Sequence, residues 1–265
     1  MKKIIFSIFT AISISILIPL KTYAVDITVG ATTWYAQSEQ YYTQNKNAWF
    51  MHDSSVKSDP AFLYGPTLAV RLTNDFNLTF VFLYGTFETG RDDGNFKSKS
   101  KYKRSDSDLA LNYRLNDYFK VFAGMKYLSY DITPGDTDSL TFQIRNIDTH
   151  TSLGSGLGVS ATIPIVGNLF CLGTVSGLYL FGKDKAGITD TNGNNPRNVN
   201  INYNEYGFNS TLSLAYYIAQ ASTVISLGGR FQYLIADYKD NAIYLDSIKF
   251  TIYGVTLTAK YTFSL

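Results

Sequence analysis

A chain of 265 residues with 23 Lys and Arg against 21 Asp and Glu, 45% hydrophobic residues and one cysteine carries enough apolar material for a single sizeable domain. The near balance of charge lacks the electrostatic footprint of a nucleic-acid binder, and the lone Cys171 excludes an internal disulfide. Its marked feature is 21 Tyr, 18 Phe and 20 Gly with no long apolar run in the body of the chain.

The chain opens with Lys2 and Lys3, an apolar run over residues 4–20, then Lys21 and the small-residue site Thr22-Tyr23-Ala24. This is the pattern of a secretory signal cleaved after Ala24, giving a signal peptide over residues 1–24 and one mature domain over residues 25–265. The competing reading is a retained membrane anchor, for which the run is short. No cysteine stands at the cleavage site, which argues against a lipoprotein. Cleavage removes three lysines and no acid, leaving 23 − 3 = 20 basic residues against 21 acidic ones.

From residue 25 onward the dominant pattern is alternation with period two, the mark of strands with two different faces. Val25, Ile27, Val29, Ala31, Thr33 and Tyr35 take one side of a first strand; Asp26, Thr28, Gly30, Thr32 and Trp34 take the other. A polar stretch over residues 36–59 reads as a loop. A second strand descends through Phe62, Tyr64, Pro66, Leu68, Val70 and Leu72, turns at Thr73-Asn74-Asp75, and a third climbs through Leu78, Phe80, Phe82 and Tyr84. Pro66 cannot donate to a ladder, so a bulge or weak pairing is expected beside it.

The next hairpin repeats the device, with Arg114-Leu115-Asn116-Asp117-Tyr118-Phe119 echoing Arg71-Leu72-Thr73-Asn74-Asp75-Phe76. Strand four carries Leu109, Leu111, Tyr113 and Leu115 outward, and strand five Phe119, Val121, Ala123, Met125 and Tyr127. Further tight turns fall near residues 164–168 and 219–221. Longer polar segments, read as loops, lie at residues 89–104, 131–149, 183–202 and 239–247. Short turns alternating with long loops give ten strands. Eight or twelve fit the same signals, because residues 169–181 are apolar on both faces.

The last stretch is the clearest. Tyr253, Val255, Leu257, Ala259, Tyr261, Phe263 and Leu265 alternate with Gly254, Thr256, Thr258, Lys260, Thr262 and Ser264 without a break. It resembles the closing strand of bacterial outer-membrane β-barrels, whose apolar face meets lipid and whose polar face lines the lumen. The resemblance implies an all-β fold, a transmembrane antiparallel up-and-down barrel in the bacterial outer membrane with both termini periplasmic. It also implies partners: the barrel-assembly machinery, which reads the C-terminal strand, outer-membrane lipid and outer-leaflet glycolipid. In that register Tyr35, Tyr64, Tyr84, Tyr127, Tyr206, Phe208, Phe231, Tyr233 and Tyr253 form one aromatic ring, and Tyr113, Phe119, Tyr216, Tyr261 and Phe263 a second. A soluble β-sandwich, the competing class, gives no reason for two rings.

Function is carried by charges. Arg71, Arg114, Lys120, Lys126, Arg230 and Lys260 fall on the inward register, opposed by Asp26, Asp108 and Glu205. A cationic lumen predicts porin-like passive permeation of small, anionic solutes. The alternative is that these charges pair and fill a narrow barrel, leaving a closed-lumen surface adhesin or binding protein that works through its loops. Lys97, Lys99, Lys101 and Lys103 share one face of a loop segment and are suited to phosphates of glycolipid or to an acidic host polymer, or equally to protecting a strand edge.

Asp106-Ser107-Asp108 and Asp148-Thr149-His150 each place two ionisable groups on one side of a strand. These spacings resemble those of omptins, the ten-stranded outer-membrane proteases, in which carboxylates and a His activate water; the flanking residues differ. His52 is the one other histidine, so no zinc cluster is expected. No phosphate loop, dinucleotide fingerprint or nucleophile elbow occurs, and the expectation is a protein without cofactor or enzymatic activity. The oligomeric state is open.

Overall fold

The computed structural model describes residues 25–44, 54–92, 97–133, 146–188, 197–238 and 245–265. They form β1 (Asp26–Gln44), β2 (Ser54–Lys57), β3 (Ala61–Arg71), β4 (Phe76–Asp92), β5 (Lys97–Arg114), β6 (Phe119–Thr133), β7 (Asn146–Val166), β8 (Leu169–Ile188), β9 (Arg197–Ile218), β10 (Thr223–Tyr238) and β11 (Leu245–Ser264). Each strand pairs antiparallel with its neighbours, and β1 closes on β11. Short β2 and β3 both pair with β1 and act as one interrupted stave. The result is a closed, ten-stave, up-and-down barrel.

One rim, the turn end, is closed by tight hairpins and holds both ends of the sheet, with the Leu265 N–H donating to the Val25 carbonyl at 3.1 Å. The repeated hairpins share a device. Thr73 Oγ1 accepts the N–H groups of Asp75 and Phe76, and Asn116 Oδ1 accepts those of Tyr118 and Phe119 at 2.9 and 2.8 Å. At the third turn Gly167 takes φ +53°, which a two-residue hairpin requires and a side chain resists. The β3–β4 ladder skips Gly65 and Pro66, as the missing donor of proline demands.

Every second residue points outward, and the outward set is apolar. Tyr35, Tyr64, Tyr84, Tyr127, Tyr206, Phe208 and Tyr253 are exposed on one belt, and Tyr113, Phe119, Tyr216 and Tyr261 on another nearer the turns. Leu157, Val159, Leu212, Leu214, Leu227 and Val255 are exposed between them. Such a surface is stable against hydrocarbon, and the closed sheet leaves no strand edge in it.

The strands extend well past the upper belt. A tilted strand crosses a membrane in about 9–11 residues, whereas β9 has 22. Much of what the polar segments 36–59, 89–104, 131–149, 183–202 and 239–247 led one to read as loop is therefore strand, including the stretch from Lys97 to Lys103. Beyond the upper belt the outward face is wet, so Gln37, Ser129, Asp131, Thr149, Lys183, Lys185, Asn202 and Lys249 replace its aromatics. Alternation of hydropathy fades while alternation of burial continues.

Candidate functional site

The interior has two halves. In the loop-end half each stave sends in a buried side chain: Trp34 from β1, Leu63 from β3, Leu83 and Phe87 from β4, Tyr102, Arg104 and Asp106 from β5, Lys126, Leu128 and Tyr130 from β6. His150 and Ser152 from β7, Leu180 and Asp184 from β8, Tyr203 and Glu205 from β9, Gln232 and Leu234 from β10, and Phe250 and Ile252 from β11 complete it. In a ten-stave barrel, staves five apart face each other. β6 and β11 are such a pair, and Tyr130 stacks on Phe250 with ring centroids 5.4 Å apart. So are β5 and β10, where Arg104 donates to Gln232 Oε1 and Arg230 lies 3.6 Å from Asp106. Among the described residues the opposite walls thus touch each other across the axis at this level.

The polar part of this plug is one connected network. Asp106 accepts from Lys126 and from Arg104 Nη2, the latter at 2.8 Å; Lys126 also reaches Asp108 at 2.9 Å. Arg230 stacks over Trp34 at 4.6 Å and bonds Asn209. Arg104 donates to the Tyr130 hydroxyl, which brings the network to His150, whose ring is 5.4 Å from that of Tyr130. His150 lies flat on Tyr203 at 4.4 Å. Its Nδ1 is 2.7 Å from Asp184 and its Nε2 3.9 Å from Glu205. Tyr238 donates to the other oxygen of Asp184 at 2.6 Å, and Ser152 to Glu205 at 2.5 Å.

Charge within the network balances in one state of His150. Arg104, Lys126 and Arg230 bring three positive charges and Asp106, Asp108, Asp184 and Glu205 four negative ones. The imidazolium supplies the fourth positive charge. His150 sits beyond the upper belt, with outward Thr149 and Thr151 on its own strand and Lys183 and Lys185 on the next. Burial by itself lowers its pKa, but the Asp184 and Glu205 carboxylates outweigh that and raise it to about 9. Burial and Asp184 likewise keep the Tyr238 hydroxyl protonated.

The turn-end half is lined by small and hydroxyl-bearing residues. Thr28 meets Thr262, Thr32 meets Thr258 and Thr174 meets Thr211 through their hydroxyls on this inner face, and Asn112 donates to Thr79.

The inward charges expected from sequence thus divide. Lys126, Arg230 and Asp108 join the plug. At the turn end Arg71 pairs with Asp26 at 2.6 Å and Arg114 lies 3.9 Å from exposed Asp117, while Lys120 and Lys260 face the lumen. Lys101 and Lys103 are exposed outside the barrel, Lys101 pairing with Glu88 at 2.7 Å and Lys103 standing opposite Asp131. The side chains of Lys97, Lys99 and Asp148, and the whole of His52, lie outside the described residues. The Asp106 and His150 of the omptin-like spacings do meet in one network. There Asp106 is 1% exposed among three cations and His150 is 2% exposed, so neither can present a base to a substrate. Arg104 and Asp184 were hidden in segments read as loops, although Tyr102, Arg104, Asp106 and Asp108 share one period-two register that could have revealed Arg104.

No protein-family model matches the chain, and no curated protein matches it in sequence. Among solved structures, the outer membrane protease OmpT from Escherichia coli superposes with a TM-score of 0.56 at 11% identity, over 92% of this chain and 99% of that one. OprG from Pseudomonas aeruginosa gives 0.39 at 12% identity over 91% and 95%, and Ail of Yersinia pestis 0.32 at 12% over 89% and 98%. The fold is that of a bacterial outer-membrane β-barrel.

Proposed function

We propose that this protein is a closed-lumen surface protein of the bacterial outer membrane, with its turn end and both termini in the periplasm, and that it binds phosphate-bearing polyanions outside the cell. The observation that carries this reading is the plug: stacked and ion-paired contacts between opposite staves fill the space a solute would cross. It favours a surface binder over porin-like permeation. A refolded barrel in a planar bilayer is expected to show no steady conductance, and Phe250→Ala with Tyr130→Ala, which removes the central stack, should introduce a leak. A steady, ion-selective conductance from the unmodified barrel would sink the proposal.

The contact surface follows from cross-strand pairing. Lys101 and Lys103 have acidic neighbours, whereas Lys183 and Lys185 stand opposite Thr151 and Thr149 on one side and Asn202 and Asn200 on the other. No described residue forms an ion pair with either, which leaves their charge to an external anion at the level where glycolipid phosphates lie above the exposed rings of Tyr179 and Phe181. Retention on a lipopolysaccharide matrix should fall several-fold in the Lys183→Gln, Lys185→Gln double variant and little in Lys101→Gln, Lys103→Gln; equal losses would remove Lys183 and Lys185 from the site.

A further inference from the structure

Lys120 and Lys260 sit on β6 and β11, five staves apart, and so face each other across the turn-end lumen. Neither makes a hydrogen bond or ion pair with any described residue. Arg114 stands directly opposite Lys120 on the adjacent strand, a like-charged pair that is unfavourable in a sheet. Four cations, Arg71, Arg114, Lys120 and Lys260, share this mouth, and among the described residues the one carboxylate that pairs closely with any of them is Asp26 on Arg71. Asp117 is 85% exposed on its turn and 3.9 Å from Arg114, too remote to neutralise the interior.

The surroundings of Lys260 are those of a receptor. On the same inward face, Thr28 and Thr262 meet at 2.9 Å on one side of it, and Thr32 and Thr258 at 2.7 Å on the other. Opposite Lys260 in the ladder is Gly30, where a Cβ would stand 3.0 Å from the lysine Cγ and 2.2 Å from a backbone oxygen. Glycine there leaves the lysine stem its place between the two hydroxyl pairs. Thr and Asn side chains continue on the inner face at Thr79 and Asn112, donors and acceptors without net charge. Unpaired cations within a low-dielectric wall focus potential and draw in a counter-ion.

We infer that the turn-end lumen is a binding cup for a small free oxyanion, of the phosphate or sulfate class, held between Lys260 and Lys120 and the threonine hydroxyls, and closed above by the plug. Water-borne anions enter from the turn end, and the plug prevents onward passage. The cup is therefore a site and not a step in permeation. Ammonium and hydroxyl donors suit an acceptor-only tetrahedral ion.

The test uses the full folded barrel in a zwitterionic detergent free of phosphate, with inorganic phosphate as the probe. Phosphate should raise the unfolding midpoint of the unmodified protein more than chloride at equal ionic strength, and broaden its own phosphorus resonance on binding. Lys260→Met should weaken the apparent affinity roughly tenfold or more, the effect of losing one charge-assisted bond. The variant should also be at least as stable as the parent without phosphate, because a charge with no protein partner has been removed. Lys120→Met should act in the same direction, and Lys101→Met should bind as the parent does. Equal effects of chloride and phosphate, unchanged phosphate binding by Lys260→Met, or a Lys260→Met variant less stable than the parent in phosphate-free buffer would each overturn the assignment. If Lys260→Met does not fold, Thr28→Val with Thr262→Val keeps the charge and removes two hydroxyls; unchanged affinity there overturns it as well.

Discussion

Raising the pH of the folded barrel from about 6 to about 10 lowers its resistance to urea by about 3 kcal/mol, and His150→Gln abolishes that decline. The folded-state pKa of His150 is raised to about 9 from an ordinary 6.5. A raised pKa stabilises the fold fully below the unfolded value and loses that contribution as pH climbs through the folded one. The window is thus about 6.5 to 9 and somewhat beyond. Deprotonation leaves Asp184 and Glu205 facing each other across a neutral ring, with four carboxylates in the plug against three cations. The other groups packed on the ring, Tyr130 and Tyr203, are held protonated by burial and these carboxylates, so they do not titrate in that window. His150→Gln should be less stable than the parent at pH 6 and as stable at pH 10. A variant that declines with the parent's slope would assign the titration to another group.

Asp106→Asn should be the most damaging single change among these charges, lowering stability by about 3–5 kcal/mol, the usual penalty for stranding buried charges. Asp106 holds Lys126 and Arg104 directly and Arg230 at 3.6 Å, and all four residues are buried. Asparagine keeps the shape and one acceptor but leaves Lys126 and Arg230 to Asp108 alone. Adding Lys126→Met to Asp106→Asn should recover a large part of the loss, because the stranded cation is the cause of it. Asp131→Asn, exposed on the outside, is the control and should be near neutral. Urea unfolding of the parent, Asp106→Asn, Lys126→Met and the double variant reads the cycle, with Asp131→Asn beside it; a loss below about 1 kcal/mol for Asp106→Asn would show that the network is not held through this carboxylate.

Period-two hydropathy is visible in sequence wherever lipid lies on one side and a polar lumen on the other. That is why residues 253–265 and the hairpins at residues 72–75 and 115–118 could be read with their register. Past the upper belt the contrast disappears. Ser38, Gln40 and Ser58 are buried yet polar, and Lys183 and Thr251 point to water on the opposite face, so strand looks like loop. The plug was half legible for a different reason. Asp106, Asp108 and His150 announced a shared inward side, but their partners Arg230, Gln232, Asp184 and Glu205 come from staves whose opposition depends on how many staves close the ring. The sequence fixes the side on which a residue lies more readily than the residue it meets across a barrel.

The junction of β1 with β11 carries a kinetic consequence. All other joints in the wall form between strands near in sequence, while this one pairs Asp26 with Ser264 and Tyr35 with Val255. Local hairpins can assemble early, but the seam brings together residues more than two hundred positions apart, and its loop-closure entropy has to be met last. A ring has no intrinsic first strand. Connecting Leu265 to Val25 with a short linker and opening the chain at Gly167 and Asn168 should preserve the barrel and transfer the slow step to β7 and β8, where the new seam would lie.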